Sequence, residues 1–143
     1  MPIALRPARP GDFEFCACLY FSGMEETIQR LKLDMVAQNR NLRERWNVEE
    51  VRIIASDGTD VGWMQSSIKD AAHYLEQIFI DAPFQNRGIG TGIINGLIDE
   101  AERDQRPVTL GVVKTNPAFH LYERLGFRIT HEDDRKFYMR REP

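Results

Sequence analysis

The sequence contains few of the residues and segments that mark secreted, membrane-spanning or nucleic-acid-binding proteins. Its 143 residues include only two cysteines, Cys16 and Cys18, two positions apart in an apolar segment. Because that spacing suits neither a zinc site nor a redox pair, we expect both to be small buried hydrophobic side chains in a protein without disulfides. The first residues also lack the uninterrupted apolar core of a signal peptide. These absences predict a cytoplasmic protein.

Long apolar runs and an excess of positive charge are missing as well. No run approaches the roughly 20 apolar residues that span a bilayer, which argues against a membrane protein. A net charge of −3 and an isoelectric point near 5.6 argue against nucleic-acid binding, which usually requires a basic surplus. The three histidines lack the spacing of metal ligands, so we predict no metal site. The 42% hydrophobic and 29% charged residues are typical of a soluble globular chain, and the length predicts a single domain over residues 1–143.

Hydrophobic periodicity and turn signals predict an α/β fold with a mixed sheet. A short first strand, IALRPA, is followed by a helix that Asp12 caps. A second helix is predicted from about Glu25 to Arg45, with Gly23 separating the two. The strands VRIIAS and VGWMQSSI flank Asp57-Gly58, a strong hairpin signal, and HYLEQIFI is the next strand. The remaining pattern predicts a helix, a strand, a short helix that ends at Gly126 and a closing hairpin.

The segment QNRGIGTG, residues 85–92, connects the strand HYLEQIFI to a helix and has three glycines in five positions. The first turn of a helix has N–H groups without internal partners, and the helix dipole adds partial positive charge there. Since glycine has no Cβ, a phosphate can approach such a backbone closely, and the turn predicts an anion site. Arg87 and Thr91 add a charge and a hydroxyl group. The alternative is a helix capped by glycines with nothing bound.

Two nucleotide-binding motifs do not fit this turn. A P-loop needs the run GxxxxGK[ST], and no such lysine follows the glycines. The dinucleotide fingerprint GxGxxG fails from both starts, because Ile93 and Asn95 occupy its third glycine position. An enzyme that binds ATP or NAD at this turn is therefore the weaker alternative.

Two motifs in the second half of the chain carry a family resemblance. Gln85, Gly88 and Gly90 occupy the defining positions of the pattern [RQ]xxGx[GA] within YLEQIFIDAPFQNRGIGTGII. Asn116 and the run LYERLGF, residues 121–127, form a second signature. Together they resemble the GNAT superfamily of acetyl-CoA-dependent N-acetyltransferases over residues 74–127, and the element order matches the whole chain. The resemblance implies a GNAT fold: a central, mostly antiparallel sheet with splayed parallel strands, flanked by helices.

The resemblance also implies acetyl-CoA as cosubstrate, with its pyrophosphate on the glycine turn, and no metal. The backbone of Phe79 and Ile80 would pair with the acetyl-pantetheine arm as a missing strand would, and the Ile80 N–H would polarise the thioester carbonyl. Gln85 stands where arginine is commoner, so the phosphate site has one cation fewer, and Arg87 would compensate for it. Asn116 would bind the arm, cap its helix, or do both. The implied cofactor-binding residues are Ile78, Phe79, Ile80, Gln85, Asn86, Arg87, Gly88, Ile89, Gly90, Thr91, Asn116 and Tyr122.

The implied reaction is attack of a primary amine on the acetyl thioester. An alkylamine has a pKa of about 10.4, so freeing its lone pair at pH 7 costs about 4.6 kcal/mol, whereas a thiol, with a pKa of about 8.5, leaves more easily as its anion. Glu76, which alternates with Ile78 and Ile80 on the strand, is the candidate general base, directly or through water. Its alternative role is a solvated residue or a salt-bridge partner. Tyr122 is the candidate acid for the thiolate, and its alternative role is a core tyrosine.

The acceptor is expected to be an amine of a small molecule or peptide. It should bind near the two N-terminal helices and the closing hairpin, where the family varies. Many members of the family dimerise, so the resemblance implies a homodimer. The rival hypothesis is a non-catalytic acetyl-CoA-binding module or a partner subunit, which would need neither Glu76 nor Tyr122.

Overall fold

The computed structural model describes residues 3–143. Within them the chain forms, in order, β1 Ile3–Pro7, α1 Phe13–Arg30, α2 Met35–Arg45, β2 Val51–Ser56, β3 Thr59–Lys69, β4 Ala72–Ile80, α3 Ile89–Arg103, β5 Val108–Val113, α4 Ala118–Arg124, β6 Arg128–Glu132 and β7 Lys136–Arg141. The strand order in the sheet is β1-β2-β3-β4-β5-β7-β6. β4 and β5 run parallel, whereas β1 with β2, β2 with β3, β5 with β7 and β6 with β7 run antiparallel. The predicted mixed sheet is confirmed.

The described residues form two compact units. Unit 1 contains the residues up to Gln65 and the segment Gln77–Arg87, and unit 2 contains Ser66–Glu76 and residues 88–143. Strands β3 and β4 therefore contribute residues to both units. The predicted site residues are divided between the units.

Unit 1 buries one face of α1 and α2 against β2 and β3. Its core cluster consists of Cys16, Ala17, Leu19, Tyr20, Leu42, Val51, Ile53 and Trp63. The expectation that both cysteines are buried is wrong for Cys18, which is exposed, whereas Cys16 is buried. Two positions turn a helix by about 200°, so the two side chains point to opposite sides of α1.

The boundary between the first two helices lies later in the chain than predicted. Gly23 is inside α1, and the break comes after Arg30, where Lys32 adopts a left-handed φ of 52°. Asp34 then caps α2 by accepting a hydrogen bond from the Val36 N–H at 3.2 Å. The glycine at position 23 serves close packing, because a Cβ there would lie 2.8 Å from Cδ1 of Phe79.

Unit 2 is built around β5, which pairs with β7 along its whole length and with β4 over three residue pairs that end at Leu75↔Leu110. Helix α3 packs on β5. Its buried face consists of Ile89, Ile93, Ile94, Leu97, Ile98 and Ala101. The predicted closing hairpin is confirmed as β6 and β7, and Gly126 follows the end of α4 with a left-handed φ of 95°, as predicted.

Candidate active site

The glycine turn opens α3 with free backbone donors. Gly88 is the N-cap residue and adopts a left-handed φ of 82°. The Gly92 N–H donates to the Gly88 carbonyl at 3.0 Å, and this is the first bond of an α-helix that starts at Ile89. The N–H groups of Ile89, Gly90 and Thr91 precede that bond and point toward the N-terminal end of the helix. The turn therefore presents consecutive donors at the positive end of the helix dipole.

The space above this backbone is open. A Cβ added at Gly88, Gly90 or Gly92 would meet no atom within 4 Å. Glycine at these positions is therefore not required by packing within the described residues, although the left-handed φ of Gly88 favours glycine there. Arg87 is exposed beside the turn, and its guanidinium carbon lies 5.5 Å from the centre of the Phe84 ring. Consecutive N–H donors at the start of a helix are a common binding site for phosphate groups.

The side chain of Gln85, which stands where arginine is commoner, is hydrogen-bonded to the protein backbone. Its side-chain Nε2 donates to the backbone carbonyl of Ile80 at 2.8 Å. The residue thus fastens the start of the turn to the end of β4 in unit 1. Asn86, the next residue, is exposed and has a left-handed φ of 62°, a conformation that asparagine tolerates better than most residues.

Phe79, also in unit 1, is surrounded by aromatic rings. Its ring stacks on Trp63 with centroids 5.6 Å apart and meets Tyr20 edge-on at 5.4 Å. Its neighbours Ile78 and Ile80 are half-buried. The last part of β4 is therefore anchored by one side chain in the core of unit 1.

Glu76 lies in unit 2, half-buried on β4. Alternation places it on the same face of the strand as Tyr74, two residues earlier. Tyr74 lines a cavity of about 450 Å³ in unit 2 whose walls also include Lys69, Thr109, His131, Tyr138 and Arg140. The His131 and Tyr138 rings are stacked with centroids 4.5 Å apart, and the Lys69 Nζ lies 4.9 Å from the centre of the Tyr74 ring.

Asn116 lies two residues before the start of α4, and Tyr122 lies within the helix, both in unit 2. Tyr122 is buried, and burial raises the pKa of its hydroxyl to about 12. Its ring meets Phe127 edge-on at 5.7 Å. Asn116 is exposed, and its Oδ1 accepts a hydrogen bond from the Ala118 N–H at 2.9 Å. The N-cap residue of α4 is Pro117, one position later than predicted, so Asn116 satisfies the first N–H of the helix from the position before the cap.

Sequence reasoning missed three features of these units. The cavity beside Tyr74 depends on Tyr138 and Thr109, which are brought together only by strand register, so no local pattern signals it. The close approach of Gly62 to the Phe79 carbonyl was missed for the same reason. In addition, a groove of about 670 Å³ in unit 1 is lined by the end of α1 and by the break before α2, with Phe21, Glu25 and Met35 among its residues.

Two classes of feature are absent from the described part of the chain. Among residues 3–143, no group of three or more His, Cys, Asp or Glu side chains is placed to hold a metal ion. In the same range, no helix is both long and apolar enough to cross a bilayer.

The sheet topology and the glycine turn before α3 are those expected of a GNAT-type acyltransferase, and comparison with known proteins agrees. The model of the acetyltransferase (GNAT) family matches residues 18–127, which is more than half of the chain. The chain therefore belongs to the acetyltransferase (GNAT) family. The predicted family, fold class and acyltransferase class are confirmed.

The individual relatives are more distant. An uncharacterised N-acetyltransferase of Methanocaldococcus jannaschii is 40% identical over 70 residues, which are 48% of this chain and 31% of that protein. The chain thus spans about a third of the length of this curated relative. PaiA N-acetyltransferase from Thermoplasma acidophilum, solved with coenzyme A, shares the fold with a TM-score of 0.80 and 16% identity, each chain being covered completely. N-acetylglutamate synthase from Neisseria gonorrhoeae, complexed with coenzyme A and N-acetyl-glutamate, has a TM-score of 0.72 and 17% sequence identity. This match covers 99% of this chain and 35% of that one.

Proposed function

We propose that this protein transfers an acetyl group from acetyl-CoA to a primary amine of a small molecule or peptide by direct attack. The observation that carries the proposal is the open glycine turn at the start of α3 in a chain of the acetyltransferase family. The pyrophosphate of acetyl-CoA lies on the N–H groups of Gly88, Ile89, Gly90 and Thr91. Arg87, exposed beside them, supplies the neutralising charge that Gln85 does not.

The acetyl-pantetheine arm follows the end of β4. Its amides pair with the backbone of Phe79 and Ile80, and the Ile80 N–H polarises the thioester carbonyl. Two features support this placement: the β4–β5 ladder comprises only three residue pairs, up to Leu75, and β4 continues beyond it to Ile80. Asn116 contributes to binding the arm in addition to its capping role.

The chemical step joins nitrogen to carbon and breaks the carbon–sulfur bond. Glu76 takes a proton from the ammonium, directly or through water, so that the amine lone pair can attack the carbonyl carbon. The tetrahedral intermediate then expels the coenzyme A thiolate, to which Tyr122 donates a hydrogen bond, and the nitrogen releases its second proton to water as the neutral amide forms. Removal of the amine proton is the larger demand, because it costs about 4.6 kcal/mol at pH 7.

The cavity of unit 2 is the place we propose for the acceptor. It shares the face of β4 that carries Glu76, and residues of the closing hairpin, His131 and Tyr138, form one wall. Its volume of about 450 Å³ lies in the range of small-molecule sites, about 300–1,000 Å³. A side chain or small acceptor bound there would bring its amine toward Glu76.

Replacing Glu76 with glutamine tests the chemistry. In a thiol-release assay with acetyl-CoA and a panel of amines and short peptides, we expect Glu76→Gln to lower kcat by about 10²–10⁴-fold, the usual contribution of a general base. Its affinity for acetyl-CoA should remain that of the parent. Asp99→Asn, which removes an exposed carboxylate from α3, is the matched control and should turn over normally.

The same experiment separates the rival hypothesis. A non-catalytic binding module or partner subunit would bind acetyl-CoA and release no thiol with any acceptor, in the parent and in both variants. Parent-like turnover of Glu76→Gln would remove Glu76 from the mechanism.

A further inference from the structure

Gly62, in the middle of β3, lies against the backbone of β4 within unit 1. A Cβ at this position would be only 2.4 Å from the carbonyl oxygen of Phe79 and 3.3 Å from Cα of Ile80. The φ of Gly62 is outside the left-handed region, so glycine is not needed for its conformation. It is needed because the Phe79 carbonyl occupies the place of a side chain.

A second glycine, Gly23, packs against the side chain of Phe79. Gly23 of α1 lies under the Phe79 ring, where a Cβ would be 2.8 Å from Cδ1 and 3.0 Å from Cε1. Trp63 and Tyr20 contact the remaining faces of the ring. Phe79 is therefore fixed at its carbonyl by β3 and at its ring by α1.

The residues that follow Phe79 are fixed as well. The Ile80 carbonyl accepts a hydrogen bond from Gln85 Nε2 at 2.8 Å, and the Asp81 N–H donates to the Val61 carbonyl at 2.8 Å. Val61 is the neighbour of Gly62 on β3. The direction of the peptide groups from Phe79 to Asp81 is thus set by the contacts with Gly62, Val61 and Gln85.

We infer that Gly62 is a positioning residue for acetyl transfer, and that Gly23 supports it. This inference rests on the proposed function, in which the Phe79–Ile80 backbone pairs with the acetyl-pantetheine arm. The missing side chain of Gly62 lets the Phe79 carbonyl settle onto β3, and this sets where the Ile80 N–H points. Gly62 itself touches neither substrate.

The size of the effect follows from the distances. Alanine at position 62 requires the Phe79 carbonyl to move by at least about 0.6 Å, the difference between a 3.0 Å limit and 2.4 Å. A misplacement of about 1 Å can cost about 10²-fold in rate. We therefore expect Gly62→Ala to lower kcat about 10- to 100-fold, because the Ile80 N–H bond strengthens in the transition state. The affinity for free coenzyme A, which lacks the acetyl group, should change less than about threefold.

The experiment compares Gly62→Ala and Gly96→Ala with the parent. It measures kcat and KM for acetyl-CoA by thiol release, coenzyme A affinity by calorimetry, and thermal unfolding. Gly96 is an exposed residue of α3 where an added Cβ would meet no atom within 4 Å, so Gly96→Ala should keep parent kinetics. Parent-like kcat in a folded Gly62→Ala protein would overturn the inference, and so would an equal loss of kcat and coenzyme A affinity.

A second set of variants decides the matter if Gly62→Ala does not fold. The Cβ added by Gly23→Ala would contact only the Phe79 ring, so we expect Gly23→Ala to lower kcat in the parent protein. In a Phe79→Leu background, where the ring is gone, adding Gly23→Ala should not lower kcat further. Without the ring, Gly23→Ala should also be as stable as Phe79→Leu or more stable, because alanine favours the helix. A loss of kcat that persists in Phe79→Leu would overturn the supporting role of Gly23 and, with it, the inference. A parent protein that releases no thiol would overturn both the inference and the proposed function, whereas an active parent with an unaffected Gly62→Ala would overturn the inference alone.

Discussion

At the scale of single residues, burial determines how Tyr122 can act. Its pKa of about 12 keeps the hydroxyl protonated at neutral pH. Full transfer of that proton to a thiolate, whose conjugate acid has a pKa of about 8.5, would be uphill by about 3.5 pKa units, or about 4.8 kcal/mol. Tyr122 is therefore suited to donate a hydrogen bond to the departing sulfur and unsuited to surrender its proton completely.

Removing the hydroxyl should consequently have a moderate effect on catalysis. We expect Tyr122→Phe to lower kcat about tenfold, since a hydrogen bond to a charged group contributes about 1.5–3 kcal/mol and part of it is retained by water. Thiol-release kinetics at saturating acetyl-CoA measure this, with Phe127→Leu, a change in its ring neighbour, as a control for repacking. A loss beyond about a thousandfold would mean that the proton is transferred and that the hydrogen-bond role is wrong.

At this scale, residues in local motifs can be predicted from the sequence, whereas their contacts with distant residues cannot. Glu76 and Tyr122 lie in two local segments that resemble family motifs, so the sequence alone predicts them as candidates. The contacts of Gly62 and Gln85 involve partners that alternation does not reveal. A sequence shows that Gly62 lies in a strand, but not that a carbonyl from β4 occupies the space of its side chain.

At the scale of elements, a substitution in the first turn of α3 should affect acetyl-CoA affinity and the free energy of unfolding differently. Gly90 lies in the first turn of α3, and a Cβ there would meet no protein atom within 4 Å. Gly90→Ala should therefore leave the free energy of unfolding unchanged or raise it by up to about 1 kcal/mol, because alanine favours a helix. The added methyl group would nevertheless occupy the space in which we propose that the pyrophosphate lies, and we expect acetyl-CoA affinity to fall at least about tenfold.

Calorimetric titration and urea unfolding measure the two quantities. Gly96→Ala, farther along the same helix, should gain stability and keep the parent affinity. Equal acetyl-CoA affinity in Gly90→Ala and Gly96→Ala would contradict the placement of the pyrophosphate on this turn.

Elements with a strong local signal were predicted well. The Asp57-Gly58 turn has φ values of 51° and 81°, as the hairpin signal predicted, and β2 has the predicted bounds. The turn between β3 and β4 uses Asp70 and Ala71 in left-handed conformations without a glycine, so the sequence carries no comparable signal. The prediction that Gly23 separates two helices was wrong, because a helical glycine that serves packing cannot be distinguished locally from one that ends a helix.

At the scale of the whole molecule, Tyr122 also couples stability to pH. Its folded pKa, about 12, is raised above the ordinary value of 10 by burial, so the folded state holds this proton more tightly than the unfolded state. The resulting stability is fully present below pH 10 and is lost as the pH rises from 10 toward 12. Two pKa units correspond to about 2.7 kcal/mol.

Tyr122→Phe should remove this alkaline loss. We expect the free energy of unfolding of the parent to decline more steeply between pH 9.5 and 11.5 than that of the variant, by up to about 2 kcal/mol over this interval. Urea unfolding followed by tryptophan fluorescence at a series of pH values provides the comparison. Parallel pH profiles for the two proteins would show that the hydroxyl is not buried as described.

The proposed acetyl transfer requires that acetyl-CoA binds to this chain. The most direct measurement is a calorimetric titration of acetyl-CoA into the purified protein, with ATP and NAD titrated separately under the same conditions. Micromolar binding of acetyl-CoA, with no binding of ATP or NAD, is the result that the open glycine turn and the family predict. Absence of acetyl-CoA binding, or binding of ATP or NAD in its place, would contradict the proposed acetyl transfer and leave the turn as a helix cap or as the site of another anion.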